Sequence, residues 1–161
     1  MKNSHGGVTA GTRIATVLSV SPNAEDGVSL ERIFNESDST LDTNSEWNLI
    51  VSPTLVLSFY VLREQSIPIV LCEDDMLPGT WREMLEHTAV LPDPPLLIVT
   101  SRLADERLWA EALNLGAYDV LAKPFDATEV VRILSLAWQH WQDRHKLHAD
   151  RTKQRMALAG T

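Results

Sequence analysis

The chain has 161 residues, 44% of them apolar and 22% charged, which suits one globular domain that buries roughly 70% of its unfolded surface without disulfides or structural metal. The formal net charge is −8, but Arg144, Lys146, Arg151, Lys153 and Arg155 against Asp143 and Asp150 give the stretch from Gln139 onward +3 and leave −11 for the rest, a body too acidic to attract nucleic acid by itself. No run of about 18 apolar residues is present and Met1 to Thr12 has no apolar signal-peptide core, so a membrane span and secretion are not expected, and a cytoplasmic location is.

Residues 1–12, rich in Gly, Ser and Thr, read as a disordered lead-in. Ile14 to Val20 is a β-rich apolar run that stops at Ser21-Pro22, where Ser suits a helix cap and Pro the first helical position. The first helix then turns Leu30, Ile33 and Phe34 inward. Asn35 to Glu46 is polar, acidic and aperiodic, as a solvated loop is. A second strand is expected over Trp47 to Val51, followed by another Ser-Pro helix start at Ser52-Pro53 and a helix with Leu55, Phe59 and Leu62 inward.

The third strand, Ile67 to Cys72, runs straight into three acids, Glu73, Asp74 and Asp75, and then turns on Leu77-Pro78-Gly79. Cys72, the single cysteine, sits in this apolar run and reads as a small buried side chain rather than a reactive thiol. Thr80 with Glu83 has the spacing of a capping box, opening a third helix that lines up Trp81, Met84, Leu85 and Thr88. Pro92-Asp93-Pro94-Pro95 ends it. The fourth strand, Leu96 to Thr100, is almost wholly apolar, as a strand covered on both faces should be. A fourth helix follows with Leu108, Ala112 and Leu115 inward and Gly116 as its stop. Val120 to Ala122 makes a short fifth strand, and Lys123-Pro124-Phe125 leads to Asp126, which caps a fifth helix whose stripe is Val130, Leu134, Ala137, Trp138 and Trp141. From there to Gly160 the sequence is polar and free of Gly and Pro, which predicts a helix projecting past the body and frayed toward its end.

Five strands alternating with five helices over short links call for a doubly wound, five-stranded parallel sheet with helices on both faces. The polar residues at the strand C-termini, Ser21, Glu73 to Asp75, Thr100 with Ser101, and Lys123, then converge on one edge of the sheet. These positions are the expected site.

Taken together, IVLCEDDMLPG, LLIVTSR and LNLGAYDVLAKPF resemble the receiver domain of bacterial response regulators over roughly residues 13–141, leaving 142–161 as a projecting helical tail. The resemblance implies a flavodoxin-like, CheY-like fold with an extended C-terminal helix, and a role in two-component phosphorelay signal transduction. It implies an aspartate that accepts phosphate from a histidine kinase, helped by Mg²⁺, a Ser or Thr, and a Lys. It also implies a cis Lys123-Pro124 bond. For the acceptor, counting back from Leu77-Pro78 selects Asp74 and is preferred, whereas the end of the apolar run selects Glu73, whose longer side chain would imitate a phosphorylated aspartate; Asp75 completes an acidic pocket. For the hydroxyl, both Thr100 and Ser101 stand. Lys123 would contact the phosphoryl group or, without one, pair with Glu73 or Asp74.

The pattern departs from the family where the first strand ends: Ser21 and Pro22 replace the acidic pair that would hold the metal, so no cofactor is expected, and Mg²⁺ only if the site is functional. Glu25 and Asp26 lie a helical turn further on and read as favourable charges in a helix's first turn. The aromatic position three before the Lys is Val120; Tyr118 is close but has the wrong parity. His140, His145 and His148 spread over different helix faces and read as solvated rather than as metal ligands. Trp138 and Trp141 fit either a homodimer interface through helices four and five or the domain's own packing. The absence of a Gly-rich phosphate loop, a nucleophile elbow or a paired acid and base makes a metabolic enzyme a poor fit. The expected function is a receiver-like domain, degenerate in metal binding, that acts through a protein partner, either a histidine kinase or a downstream signalling protein. A working single-domain phosphoacceptor is the first alternative, and a nucleic-acid adaptor using the basic tail, with no aromatics interleaved, the second.

Overall fold

The computed structural model describes residues 13–37 and 45–160. The expectation for residues 1–12 lies outside the described residues. In chain order the elements are β1 (Arg13–Val20), α1 (Ala24–Glu36), β2 (Ser45–Ser52), α2 (Leu55–Glu64), β3 (Ile69–Glu73), α3 (Trp81–Ala89), β4 (Leu96–Ser101), α4 (Glu106–Leu115), β5 (Asp119–Ala122) and α5 (Ala127–Ala159). The strands form one parallel sheet in the order β2-β1-β3-β4-β5. Because the chain leaves β1 toward β2 and returns across it to β3, a crevice opens at the C-terminal edge between β1 and β3.

The two-residue period of the strands divides the core into two layers. Ala15 and Val17, Ile69 and Leu71, Ile98, and Leu121 pack against Leu30, Ile33 and Phe34 of α1 and the Val130 to Trp141 stripe of α5. Leu18 and Val20, Val70 and Cys72, Leu97 and Val99, and Val120 face Leu55 and Leu62 of α2, Trp81 and Met84 of α3, and Leu108 and Ala112 of α4. Burying β1, β3 and β4 on both faces is why those segments read as continuous apolar runs.

Several local details differ from the expectations, each for a visible reason. Helix α1 starts two residues later than Ser21-Pro22 suggests, because Asn23 Oδ1 accepts the Glu25 N–H and takes the cap, while Ser21 Oγ is used elsewhere. Helix α2 likewise begins at Leu55, capped by Thr54 Oγ1 accepting from Leu57 N–H. Its fully buried positions are Leu55, Ser58 and Leu62, with Phe59 only partly buried and stacked on His87 at 3.9 Å. Strand β2 reaches Ser45 and Ser52 because it pairs with β1 along its whole length. At α3 no capping box forms, since Thr80 makes no side-chain cap bond and only its backbone carbonyl receives Glu83 N–H. Leu115, on the last turn of α4, is exposed: Gly116 at φ 109° turns the chain there before that position reaches the sheet. The α5 cap is Asp126 Oδ1 accepting from Glu129 N–H, and the helix continues unbroken to Ala159. The Lys123-Pro124 bond is cis, as is Leu77-Pro78.

Candidate functional site

Four strand ends build the site, and short extensions of the ladders fix them. Ser21 N–H donates to Ser52 O, Asp74 N–H to Thr100 O and Lys123 N–H to Ser101 O, so each polar residue stands just where its strand stops. Strand pairing sets Glu73 opposite Thr100. The parity of each strand then continues outward: Ser21, Glu73, Thr100 and Lys123 follow the residues of the α1–α5 layer, whereas Asp74 and Ser101 have the other parity.

The result is a compact charged cluster beneath the start of α1. Lys123 Nζ donates to Asp26 Oδ2 at 2.7 Å and forms a second ion pair with Glu73 Oε2. The three side chains are only 6%, 10% and 8% exposed for Lys123, Asp26 and Glu73, so the ammonium and both carboxylates are out of bulk water. Thr100 Oγ1 donates to Glu73 Oε2 at 3.1 Å, and Ser21 Oγ donates to Asp26 Oδ2 at 2.7 Å while accepting from Asn23 N–H. Each buried carboxylate therefore has the cation and one hydroxyl, the satisfaction that buried charge requires.

Asp74 and Ser101 form a separate, more open pair: Ser101 Oγ donates to Asp74 Oδ2 at 3.4 Å and accepts Leu103 N–H. Asp75 is exposed at the rim. An open depression lined by Ser21, Pro22, Glu73, Asp74, Ser101 and Lys123 leads from solvent to the cluster. Directly behind it, Cys72 is buried, and that burial, together with the nearby charges of Glu73 and Asp74, pushes its thiol from 9.0 up to about 12. The thiol is an inert packing group.

Of the two acidic positions left open by the sequence, Glu73 is the one whose side chain meets Lys123 and the Thr100 hydroxyl; the Asp74 carboxylate is bonded to Ser101 instead. Lys123 pairs with Glu73, and its other partner, Asp26, is the residue sequence reasoning assigned to the helix terminus. A signal for it was present: Asp26 precedes Leu30 by four and Ile33 by seven, so it lies on the inward stripe of α1, whereas Glu25 is exposed. Val120 is buried against α4, and Tyr118 lies on the opposite layer with its ring 5.8 Å from that of His140. Trp138 and Trp141 are buried in the chain's own core, with Trp138 Nε1 donating to Ser45 Oγ, and the Trp141 ring stacked on that of His145 and in contact with the guanidinium of Arg144. Among the described residues no three His, Cys, Asp or Glu side chains are gathered as a metal ion would need, and no helix is long and apolar enough to cross a membrane.

Strand order and helix placement are those of the response regulator receiver fold. No protein-family model matches the sequence, and no curated protein matches it either. Solved structures do. The receiver domain of a putative LuxO repressor protein from Vibrio parahaemolyticus superimposes with a TM-score of 0.71 at 13% identity, covering 83% of this chain and 96% of that one. The beryllofluoride-activated NtrC4 receiver domain dimer gives 0.67 at 20% identity over 79% and 98%. The Francisella response regulator 1452 receiver domain gives 0.65 at 15% identity over 78% and 98%.

Proposed function

We propose that this chain is a receiver-like domain of a two-component phosphorelay signalling system that acts through contacts with a protein partner, without being phosphorylated, without Mg²⁺ and without catalysing a reaction. The observation that carries the reading is the state of Lys123. Its ammonium already lies against two buried carboxylates, Asp26 and Glu73, and the hydroxyl of Thr100 is given to the same Glu73 oxygen. A phosphoryl group arriving at Asp74 would find the Lys123 cation and the Thr100 hydroxyl both engaged by Glu73.

The donor set also suits Mg²⁺ poorly. That ion takes oxygen ligands in a strict octahedron. Pro22 offers no side-chain oxygen, Ser21 spends its proton on Asp26, and the two buried acids already share the Lys123 ammonium. The residues at this edge do not fit the metal, and no step of the reading uses one. Glu73, one methylene longer than an aspartate and held by Lys123 and Thr100, serves instead as a fixed imitation of the phosphorylated residue. The partner is a histidine kinase or a downstream signalling protein. A second copy docking on α4 and α5, where Trp109, Leu115 and Leu136 are exposed, is a further partner of the same kind.

The test is to incubate the full chain with Mg²⁺ and a small acyl-phosphate donor and to weigh it intact. The expected mass is unchanged. A gain of one phosphoryl group, lost in the Asp74→Asn or Glu73→Gln variant, would establish a working phosphoacceptor instead.

A further inference from the structure

Helix α5 last packs on the body at His145; residues 146–160 beyond it are exposed throughout. Three contacts hold the helix there. His145 Nε2 lies 2.6 Å from Asp93 Oδ2, in the loop between α3 and β4, and His145 Nδ1 lies 2.9 Å from Trp141 O, one turn back along α5. The adjacent Arg144 donates to Pro94 O in the same loop at 2.6 Å. Ser66 Oγ, on the segment that enters β3, donates to the same Asp93 oxygen at 3.2 Å, so this carboxylate joins α5 to two loops at the N-terminal edge of the sheet.

Both groups that face the imidazole nitrogens are acceptors. A backbone carbonyl has no proton to give, and neither has a carboxylate. A neutral imidazole has one N–H and one bare nitrogen, so it satisfies one contact and sets its lone pair against the oxygen of the other, whereas the imidazolium donates to both. The ring face points the same way: His145 stacks on the Trp141 ring with centroids 4.1 Å apart, and an indole face attracts a cation. The other charged groups around the ring are Arg144, which is engaged at Pro94 O and lies over Trp141, and Arg13 of β1 with Asp143 and Lys146 of α5, which line the open groove beside it. Among the described residues, Asp93 is the charged group bonded to a ring nitrogen. At 40% exposure for each of His145 and Asp93, solvent can deliver and remove the proton.

From this pairing of one imidazole with two acceptors, we propose that His145 and Asp93 form a proton-operated clasp: the imidazolium fastens α5 to the α3–β4 loop, and loss of the proton releases it. Histidine side chains change charge between about pH 5 and 8, so the clasp is closed on the acid side of that range and open on the basic side. The clasp lies at the opposite edge of the sheet from the strand-end site and does not depend on how that site works. A half-exposed pair is worth little to the fold as a whole, so its effect is local, on the turns of α5 where the helix leaves the body.

Amide hydrogen exchange on the full chain at about pH 5.5 and about pH 8.5, compared as protection factors that remove the intrinsic effect of pH, tests this. Amides 142–150 of the wild type are expected to be about two- to fivefold better protected at the lower pH, the worth of a half-exposed charged contact, with β1 to β5 unchanged. His145→Gln leaves the other histidines in place and should remove the difference. Asp93→Asn should remove it too, since an amide there can donate to the bare nitrogen of a neutral ring as well as accept from the imidazolium. Nitrogen-15 spectra of the imidazole rings view the proton itself: both His145 nitrogens are expected to carry one at the lower pH, and a single nitrogen at the higher. Equal protection at the two pH values in the wild type, or a difference that persists in either variant, overturns the proposal, as does a bare His145 nitrogen at the lower pH.

Discussion

Replacing Lys123 by methionine removes the one cation between Asp26 and Glu73 while keeping the length and apolar stem of the side chain. Exposure decides the size of the effect. At 6% exposure for the lysine and 10% and 8% for its partners, the cluster is not a screened surface pair, for which about 0–1 kcal/mol would be expected, but a buried one. Removing one partner of a buried pair leaves uncompensated charge in a poor dielectric and costs about 3–5 kcal/mol. Here two like charges are left behind, which places Lys123→Met toward the upper end. A domain of this size has on the order of 5–15 kcal/mol to lose, so the variant should fold but be visibly weakened. Urea titration with linear extrapolation gives the loss directly, provided the slope is unchanged. A loss below about 1 kcal/mol at neutral pH would refute the buried, doubly paired lysine.

Other predictions are narrower. Gly79 sits at φ 94°, and a Cβ there would clash with Leu55 Cδ1, whereas Gly116 at φ 109° has open space around it. Gly116→Ala should therefore cost only the backbone term of about 1–2 kcal/mol, and Gly79→Ala measurably more, in the same urea assay. For Cys72, the folded thiol titrates near 12 rather than 9.0, so between those values the folded chain holds a proton that the unfolded chain has released. Stability from this group is complete below about pH 9 and is lost as pH rises toward about 12; Cys72→Ala should flatten that part of the stability profile, and the native thiol should ignore a thiol-specific reagent at neutral pH until the protein is unfolded.

The fold could be read because two periodicities and a set of turn residues agree along the chain: the continuous apolar strands, the inward stripes of the helices and the Gly116 stop all specify one doubly wound sheet. The site was legible only in part. Counting back from Leu77-Pro78 favours Asp74 and the end of the apolar run favours Glu73, and the sequence leaves both open because a turn can hold one residue more or fewer, while strand pairing cannot shift by one without turning the strand inside out. The parity of β3, continued past Cys72, selects Glu73, and the same count on the other strands selects Ser21, Thr100 and Lys123. Asp26 was hidden by a conflict of signals: an acid in a helix's first turn has an adequate local explanation, and its place on the inward stripe matters only once the lysine opposite is known. The tryptophans of α5 carried no sign of which side they would serve, since a core stripe and an interface stripe have the same spacing; burial on both sheet-facing turns is a property of the tertiary packing.

Lys123 and Thr100 are engaged by the chain's own carboxylates rather than open to a phosphoryl group. Backbone amide spectra of isotope-labelled protein, titrated with Mg²⁺ and beryllofluoride as a phosphoryl stand-in, test it most directly. No saturable shifts are expected at Glu73, Asp74, Thr100, Ser101 or Lys123. Saturable shifts at those amides, propagating into β4 and β5, would contradict it.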